Sequence, residues 1–188
     1  MSAAPRRRAV LMVVDGLRAD QLTDELVPNF AALAAQSRHF TAHTSVFPSA
    51  TRVNSASIAT GCYPARHGLH GNAIALDEGD GLVAVSVGPP EFRERWRRAT
   101  GHTLLAPTLS QRLRAHGGAV IHSNSSAGAA HMQDPDGHGT LYHRNGSHRP
   151  GFEPITGDAH PNVAYDAAGD REVTRRFVDA LEHDRARP

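Results

Sequence analysis

Val46-Phe47-Pro48-Ser49-Ala50-Thr51-Arg52-Val53-Asn54-Ser55-Ala56-Ser57-Ile58-Ala59-Thr60-Gly61-Cys62-Tyr63-Pro64-Ala65-Arg66-His67-Gly68-Leu69-His70-Gly71-Asn72 is the stretch around which the chain is organised. Pro48 stops regular structure and Thr51 follows in a short polar turn. Residues 52–60 then read as a helix, with Val53, Ala56 and Ile58 supplying apolar contacts and Gly61 ending it. Thr51 is therefore expected at a helix N-terminus. Free backbone N–H groups and the helix dipole favour an anion there, so a phosphoryl group held at that end would lie within reach of the threonine oxygen. The same position suits an ordinary N-cap, for which Ser and Thr are preferred residues. The stretch alone leaves both roles open.

Upstream, Ala9-Val10-Leu11-Met12-Val13-Val14 is a continuous apolar run of the kind expected for a buried central strand, and it ends at Asp15-Gly16. A carboxylate at the C-terminal end of a parallel strand is where α/β sheets place ligands. Asp15 would serve equally as a cap for a helix beginning after Gly16.

Residues 13–18 (Val-Val-Asp-Gly-Leu-Arg), 27–34 (Val-Pro-Asn-Phe-Ala-Ala-Leu-Ala), 47–54 (Phe-Pro-Ser-Ala-Thr-Arg-Val-Asn), 59–68 (Ala-Thr-Gly-Cys-Tyr-Pro-Ala-Arg-His-Gly) and Gly71-Asn72 occur in that order. Together they resemble the N-terminal part of the type I phosphodiesterase/nucleotide pyrophosphatase family of the alkaline phosphatase superfamily. The similarity is densest over residues 9–72 and looser to the end of the chain. The resemblance implies an α/β fold with an alkaline-phosphatase-like, mostly parallel sheet flanked by helices. It also implies a metal-dependent hydrolase of phosphodiester or pyrophosphate bonds that works through a covalent phosphothreonine.

By that resemblance Asp15 matches a metal-binding aspartate, and Thr51 matches the nucleophilic threonine that also touches the metal. Asn72 matches the asparagine that holds the phosphoryl oxygens together with the backbone N–H after the nucleophile, here that of Arg52. The chemistry agrees: a threonine hydroxyl is a poor nucleophile near neutral pH, metal coordination is one way to activate it, and two donors would stabilise charge on the transferring group. The resemblance implies two divalent metal ions, zinc foremost, and a small phosphate ester or nucleotide as substrate. A phosphonate hydrolase or phosphomonoesterase on the same site is the alternative within enzymes. A catalytically inactive phosphate-binding or interaction module is the alternative outside them.

Composition sets the remaining bounds. The 188 residues suffice for one domain with a sizeable core, and 39% apolar with 21% charged content is ordinary for a globular protein. A net charge of +1 gives no electrostatic argument for a nucleic acid or a membrane partner. All 20 basic residues are arginine, which reads as coding bias. The single cysteine, Cys62, rules out an internal disulfide framework and a cysteine-rich zinc site. Arg6-Arg7-Arg8 before an apolar run mimics a signal peptide, but the run is short and no small-residue cleavage site follows. With no stretch long enough to span a bilayer, a cytoplasmic protein is the expectation.

Along the chain, residues 28–36 read as a helix opened by Pro28, with Phe30, Leu33 and Ala34 on one face. Residues 38–46 read as a strand carrying His39 and His43, taken as edge histidines rather than ligands. Cys62-Tyr63-Pro64-Ala65-Arg66 fits the C-x-P-x-R pattern that resembles the sulfatase signature, but it follows the helix instead of preceding it, so the match reads as coincidence. A strand is expected at 82–87, a solvated helix anchored by Trp96 at 91–98, a helix at 107–116 before Gly117-Gly118, and a strand at 119–122. Residues 123–160, rich in Gly, Ser, Asp, Pro and His, read as a long functional loop whose His131, His138 and His143 would contact substrate. Asp134 with His138, and Asp179 with His183, have the D-x-x-x-H spacing of a metal pair without the family's surroundings, and read as decoys. Residues 166–182 read as an amphipathic helix with Val173, Phe177 and Leu181 on one face.

In the resembling family, most metal ligands follow the next strand, and none stands before Pro188 in recognisable context. The resemblance thus implies that residues 1–188 are the N-terminal part of one catalytic domain, truncated at its C-terminus and needing the rest for activity.

Overall fold

The computed structural model describes residues 9–116 and 118–185. The Arg6-Arg7-Arg8 cluster and Gly117 lie outside them. The chain forms two compact units, Met1–Thr44 and Ser45–Pro188.

The first unit contains a short 3-10 turn, Ala19–Gln21, and helix α1, Pro28–Ala35. Pro28 at the first turn has no N–H to leave unpaired, which is why the helix opens there. Val27, Phe30, Ala31 and Ala34 fall on one side and are half-buried, whereas Leu33 is exposed. The expected strands at 9–14 and 38–46 do not form. Residues Val10–Val14 are 43–64% exposed and make no ladder among the described residues. An apolar run creates a demand for burial, but a strand also needs a neighbour to take its N–H and C=O groups.

The second unit begins with α2, Thr51–Thr60, which ends at Gly61 in the left-handed conformation (φ 67°) that glycine adopts without a Cβ penalty. The short helix α3, Pro64–His67, follows. Strands β1 (Ala73–Asp77) and β2 (Leu82–Ser86) form an antiparallel hairpin in the register Ile74↔Val85 and Leu76↔Val83. Asp77 Oδ1 accepts the N–H groups of Gly79 (2.9 Å) and Gly81 (3.1 Å) and so closes the loop. Helix α4 is Phe92–Thr100, with Phe92 and Trp96 buried and their ring centroids 5.4 Å apart. Three of its arginines reach carboxylates, Arg95 that of Glu78, Arg97 that of Asp136 and Arg98 that of Glu94, whereas Arg93 is half-buried over the Phe152 ring, 5.0 Å from its centroid. Trp96 is the anchor expected from the sequence, but the face around it is only partly solvated: Arg93, Arg95 and Arg97 are half-buried and Arg98 is exposed.

Helix α5, Leu109–Leu113, starts two residues later than the expected 107–116 span, because Thr108 takes the cap position and accepts the Gln111 N–H (3.2 Å), and a 3-10 turn, Arg114–His116, carries the helical path to the expected end. Strand β3 (Val120–Ser123) leads through α6 (Ala127–His131) to β4 (Thr140–His143), and these strands pair in parallel. Then β5 (His148–Arg149) and β6 (Glu153–Pro154) add antiparallel neighbours, giving the sheet order β3-β4-β5-β6. The chain is thus mixed α/β, with its parallel component in β3–β4. The other pairings are antiparallel because their connections are short, and only a connection of a dozen or more residues supports a parallel return. The 123–160 span is therefore not one loop: it holds α6 and three strands. Helix α7, Ala167–Arg185, closes the chain with Val173 buried and Phe177 and Leu181 half-buried.

One cluster carries the core of this unit: Val53 and Ala56 from α2, Leu69, Leu76 from β1, Val85 from β2, Val87, Phe92 and Trp96 from α4, and Met132. Burying each large member is worth about 1.5–3 kcal/mol, so this cluster is what fixes α2 against the β1–β2 hairpin.

Candidate functional site

Thr51 is the first residue of α2. The cap position before it belongs to Ala50, whose extended backbone (φ −83°, ψ 141°) carries no side-chain cap and whose carbonyl accepts the Asn54 N–H at 2.9 Å. Thr51 is exposed, and its hydroxyl does not cap the helix. The first N–H groups of any α-helix lack intrahelical acceptors, and here no side chain supplies one from the cap position. The result is an exposed hydroxyl beside a set of oriented donors.

Asn72 lies just before β1 and is exposed. Its backbone is held twice: the carbonyl accepts the Val87 N–H (2.9 Å), which continues the hairpin ladder by one pair, and it accepts Arg52 Nη1 (3.3 Å). The Arg52 side chain thereby ties the first turn of α2 to the residue before β1. This link was not foreseen from the sequence, where Arg52 mattered only for its backbone N–H. Nothing in a linear pattern marks an arginine that crosses to a carbonyl twenty residues away.

Asp15 stands in the first unit, exposed, in a turn where the Leu17 N–H meets the Val14 carbonyl (3.5 Å). The first helical turn after it, Ala19–Gln21, is capped at Arg18, so Asp15 does not cap it. Asp15 and Thr51 belong to different units. Among the described residues no group of three or more His, Cys, Asp or Glu side chains comes together in a way that would hold a metal ion. The described residues do not make up the ligand set of a two-metal site.

Of the three histidines expected to face substrate, His138 is half-buried and the other two lie in the core. His131 and His143 are 2% and 0% exposed, with ring centroids 5.8 Å apart. His143 accepts the Asn145 N–H at Nδ1 (3.0 Å), which leaves Nε2 as the donor to the Ser125 carbonyl (3.0 Å). Neither nitrogen of His131 has a partner, and burial, reinforced by Arg93, His143 and His148, pushes its pKa down to about 3. These are neutral core histidines. Asp134 is completely buried and accepts two backbone N–H groups, His138 at 3.0 Å and Gly139 at 2.7 Å, so its carboxylate organises a turn. Asp179 pairs with Arg175 (2.5 Å) on the exposed side of α7. Cys62 is a half-buried free thiol at the far end of α2 from Thr51, a helix length of about 15 Å at 1.5 Å per residue.

The sequence profile of the type I phosphodiesterase / nucleotide pyrophosphatase family matches residues 9–187. The chain belongs to that family. Relatives similar to this chain include venom phosphodiesterases 1 and 2 of Crotalus adamanteus and venom phosphodiesterase CdcPDE of Crotalus durissus collilineatus. Each is 40% identical over 67 residues, which is 35% of this chain and 8% of the relative. The match thus spans a small part of those relatives' length. No solved structure matches the chain. Among the described residues, no helix is long and apolar enough to cross a membrane.

Proposed function

We propose that this chain carries the nucleophile half of a site that hydrolyses phosphodiester or pyrophosphate bonds. The observation that carries the reading is the start of α2: an exposed Thr51 hydroxyl, free of capping duty, beside first-turn N–H groups to which the cap residue offers no side-chain acceptor. Membership of the type I phosphodiesterase family supports it. In this reading Thr51 Oγ1 attacks phosphorus, the bond from phosphorus to the leaving oxygen breaks, and the leaving group takes up a proton. Water then attacks the phosphothreonine and restores the hydroxyl. The Arg52 N–H and the Asn72 side-chain amide would donate to the non-bridging oxygens, where charge is held as the group transfers. The substrate would be a small phosphate ester or nucleotide. Dependence on two divalent ions, zinc foremost, belongs to the proposal, with Asp15 and Thr51 as ligands; removal of the ions by a chelator would abolish turnover and added zinc would restore it.

The test is hydrolysis of a chromogenic phosphodiester by the full-length protein and its Thr51→Ala variant, with acid quenching and mass spectrometry of the peptide containing Thr51. Turnover lost in the variant, and a phosphoryl group trapped on Thr51, support the reading. Normal turnover in Thr51→Ala ends it. A phosphomonoesterase or phosphonate hydrolase would show the same trapped phosphothreonine, or its phosphonyl counterpart, with a different preferred substrate. The absence of an assembled ligand group among the described residues favours one second reading, an inactive phosphate-binding module. Phosphate binding that survives Thr51→Ala, without turnover in either protein, would mark it.

A further inference from the structure

Arg52 follows Thr51 on α2, and two glycines make room for its side chain. A Cβ on Gly88, just after β2, would stand 2.7 Å from Arg52 Nη2 and 3.2 Å from Cζ. One on Gly128, in α6, would stand 2.7 Å from Nε, 2.9 Å from Cδ and 2.6 Å from the Val87 carbonyl. All but the Cζ separation are shorter than a real Cβ tolerates, so a larger residue at Gly88 would push the arginine's tip aside, and one at Gly128 would collide with both the arginine and the Val87 carbonyl. The side chain is gripped from Cδ to the guanidinium by two separate elements. Its tip delivers Nη1 to the Asn72 carbonyl at 3.3 Å. Among the described residues no carboxylate pairs with Arg52. An ion pair therefore does not account for this path, and a long side chain loses considerable rotamer freedom in following it.

We propose that the Arg52 guanidinium is a positioning residue: through the Asn72 carbonyl it fixes the Asn72 amide relative to the Thr51 hydroxyl, and Gly88 and Gly128 exist to house it. The inference rests on the roles proposed above for Thr51 and Asn72. It concerns the side chain of Arg52, whereas the proposed oxyanion donor is its peptide N–H, so the two contributions separate. In Arg52→Ala the N–H remains and the guanidinium is gone. In Gly88→Ala every proposed catalytic group remains, and the new methyl crowds the guanidinium at Nη2, forcing it to shift from the position that delivers Nη1 to Asn72.

The experiment compares the full-length protein with its Arg52→Ala, Arg52→Lys, Gly88→Ala and Arg52→Ala/Gly88→Ala variants on a chromogenic phosphodiester, with Thr51→Ala as control. Misplacing a transition-state donor lowers kcat more than it raises KM, so Arg52→Ala and Gly88→Ala should each lose about 10- to 100-fold in kcat with KM little changed. Arg52→Lys should recover part of the loss. The double variant should be no worse than the poorer single one, because both remove the same contact. A kcat within twofold of normal in Arg52→Ala, beside an inactive Thr51→Ala, overturns the inference and leaves the Thr51 reading standing. Should Thr51→Ala retain turnover or the protein show none, the Asn72 side-chain amide resonances decide the matter independently. A shift of those resonances in both Arg52→Ala and Gly88→Ala supports the contact, and unchanged resonances overturn it.

Discussion

Ser57 Oγ and His67 Nε2 stand 2.9 Å apart, joining the middle of α2 to the end of α3. The other ring nitrogen, Nδ1, accepts the Leu69 N–H at 3.2 Å, which fixes the tautomer: Nε2 carries the proton and donates to the serine oxygen. A histidine in that tautomer cannot take a proton from Ser57, so the pair is not a nucleophile and its base. It is a latch that holds the chain leaving α3, on its way to Asn72, against α2. His67→Ala removes the acceptor for one buried N–H and the donor to one hydroxyl. It is expected to lower unfolding free energy by about 1–3 kcal/mol, measured by urea denaturation. His67→Gln, which keeps a polar group within reach of Ser57, should lose less.

Acid should weaken the second unit in a defined window. Burial holds His131 down to about 3, and burial with the nearby Arg176 holds His122 down to about 4, both against an ordinary 6.5. His143 and His148 are lowered in the same sense, with burial the first cause. The unfolded chain takes up protons below about 6.5 that the folded chain refuses. Stability is therefore full above that pH and falls as pH drops toward 4 and then 3. Each such histidine contributes a slope of up to about 1.4 kcal/mol per pH unit. Urea midpoints at pH 7, 6, 5 and 4.5 should fall steadily. In His131→Leu, which removes two unpartnered buried nitrogens, the decline should be shallower.

Asp134 is expected to behave as a structural carboxylate. In Asp134→Asn one oxygen becomes an NH2 group that faces the N–H of His138 or Gly139, so one buried donor loses its acceptor. The loss should be about 1–3 kcal/mol of unfolding free energy. The same loss should appear with zinc present and with a chelator present. A variant that is destabilised only when zinc is available would instead make Asp134 and His138 a metal pair.

Thr51 provides the complementary case. An exposed first-turn residue that neither caps nor packs should tolerate truncation, so Thr51→Ala should change unfolding free energy by no more than about 0.5 kcal/mol. Loss of turnover with unchanged stability, measured on one preparation, separates a chemical role for the hydroxyl from a structural one. A loss of about 1 kcal/mol or more would return Thr51 to the capping role that the sequence left open.

Gly139 tests how β3 and β4 come together. A Cβ there would stand 2.5 Å from both the Ala119 carbonyl and Ser110 Oγ. That carbonyl accepts the Thr140 N–H (2.9 Å) at the start of the parallel pair. Gly139→Ala should raise the hydrogen-exchange rate of the Thr140 and Tyr142 amides well before it affects those of α2.

The elements legible in the sequence were those whose ends carry their own chemistry. Pro28, Gly61 and the Trp96 anchor each mark a boundary or a buried face locally, and α1, α2 and α4 formed within a residue or two of expectation. Strands β2 and β3 also formed within a residue of the expected 82–87 and 119–122, but strands depend on partners, and the partners are not local. The run at 9–14 was apolar enough for a central strand but has no described neighbour, while β4, β5 and β6 hide in a Gly- and His-rich span whose pairing is set by register. At the site, Thr51 and Asn72 stood out through the family resemblance. The Arg52 path did not, because it depends on two missing side chains, at Gly88 and Gly128, that a sequence records only as glycines among many.

The position of Cys62 has a practical consequence. As the single thiol in the chain, set at the opposite end of α2 from Thr51, it offers one attachment point for a spin label or fluorophore at a fixed offset from the hydroxyl. A paramagnetic phosphate analogue or metal captured near Thr51 would be separated from such a label by little more than the length of the helix. That turns α2 into a molecular ruler, able to report occupancy by distance even in a preparation that performs no catalysis.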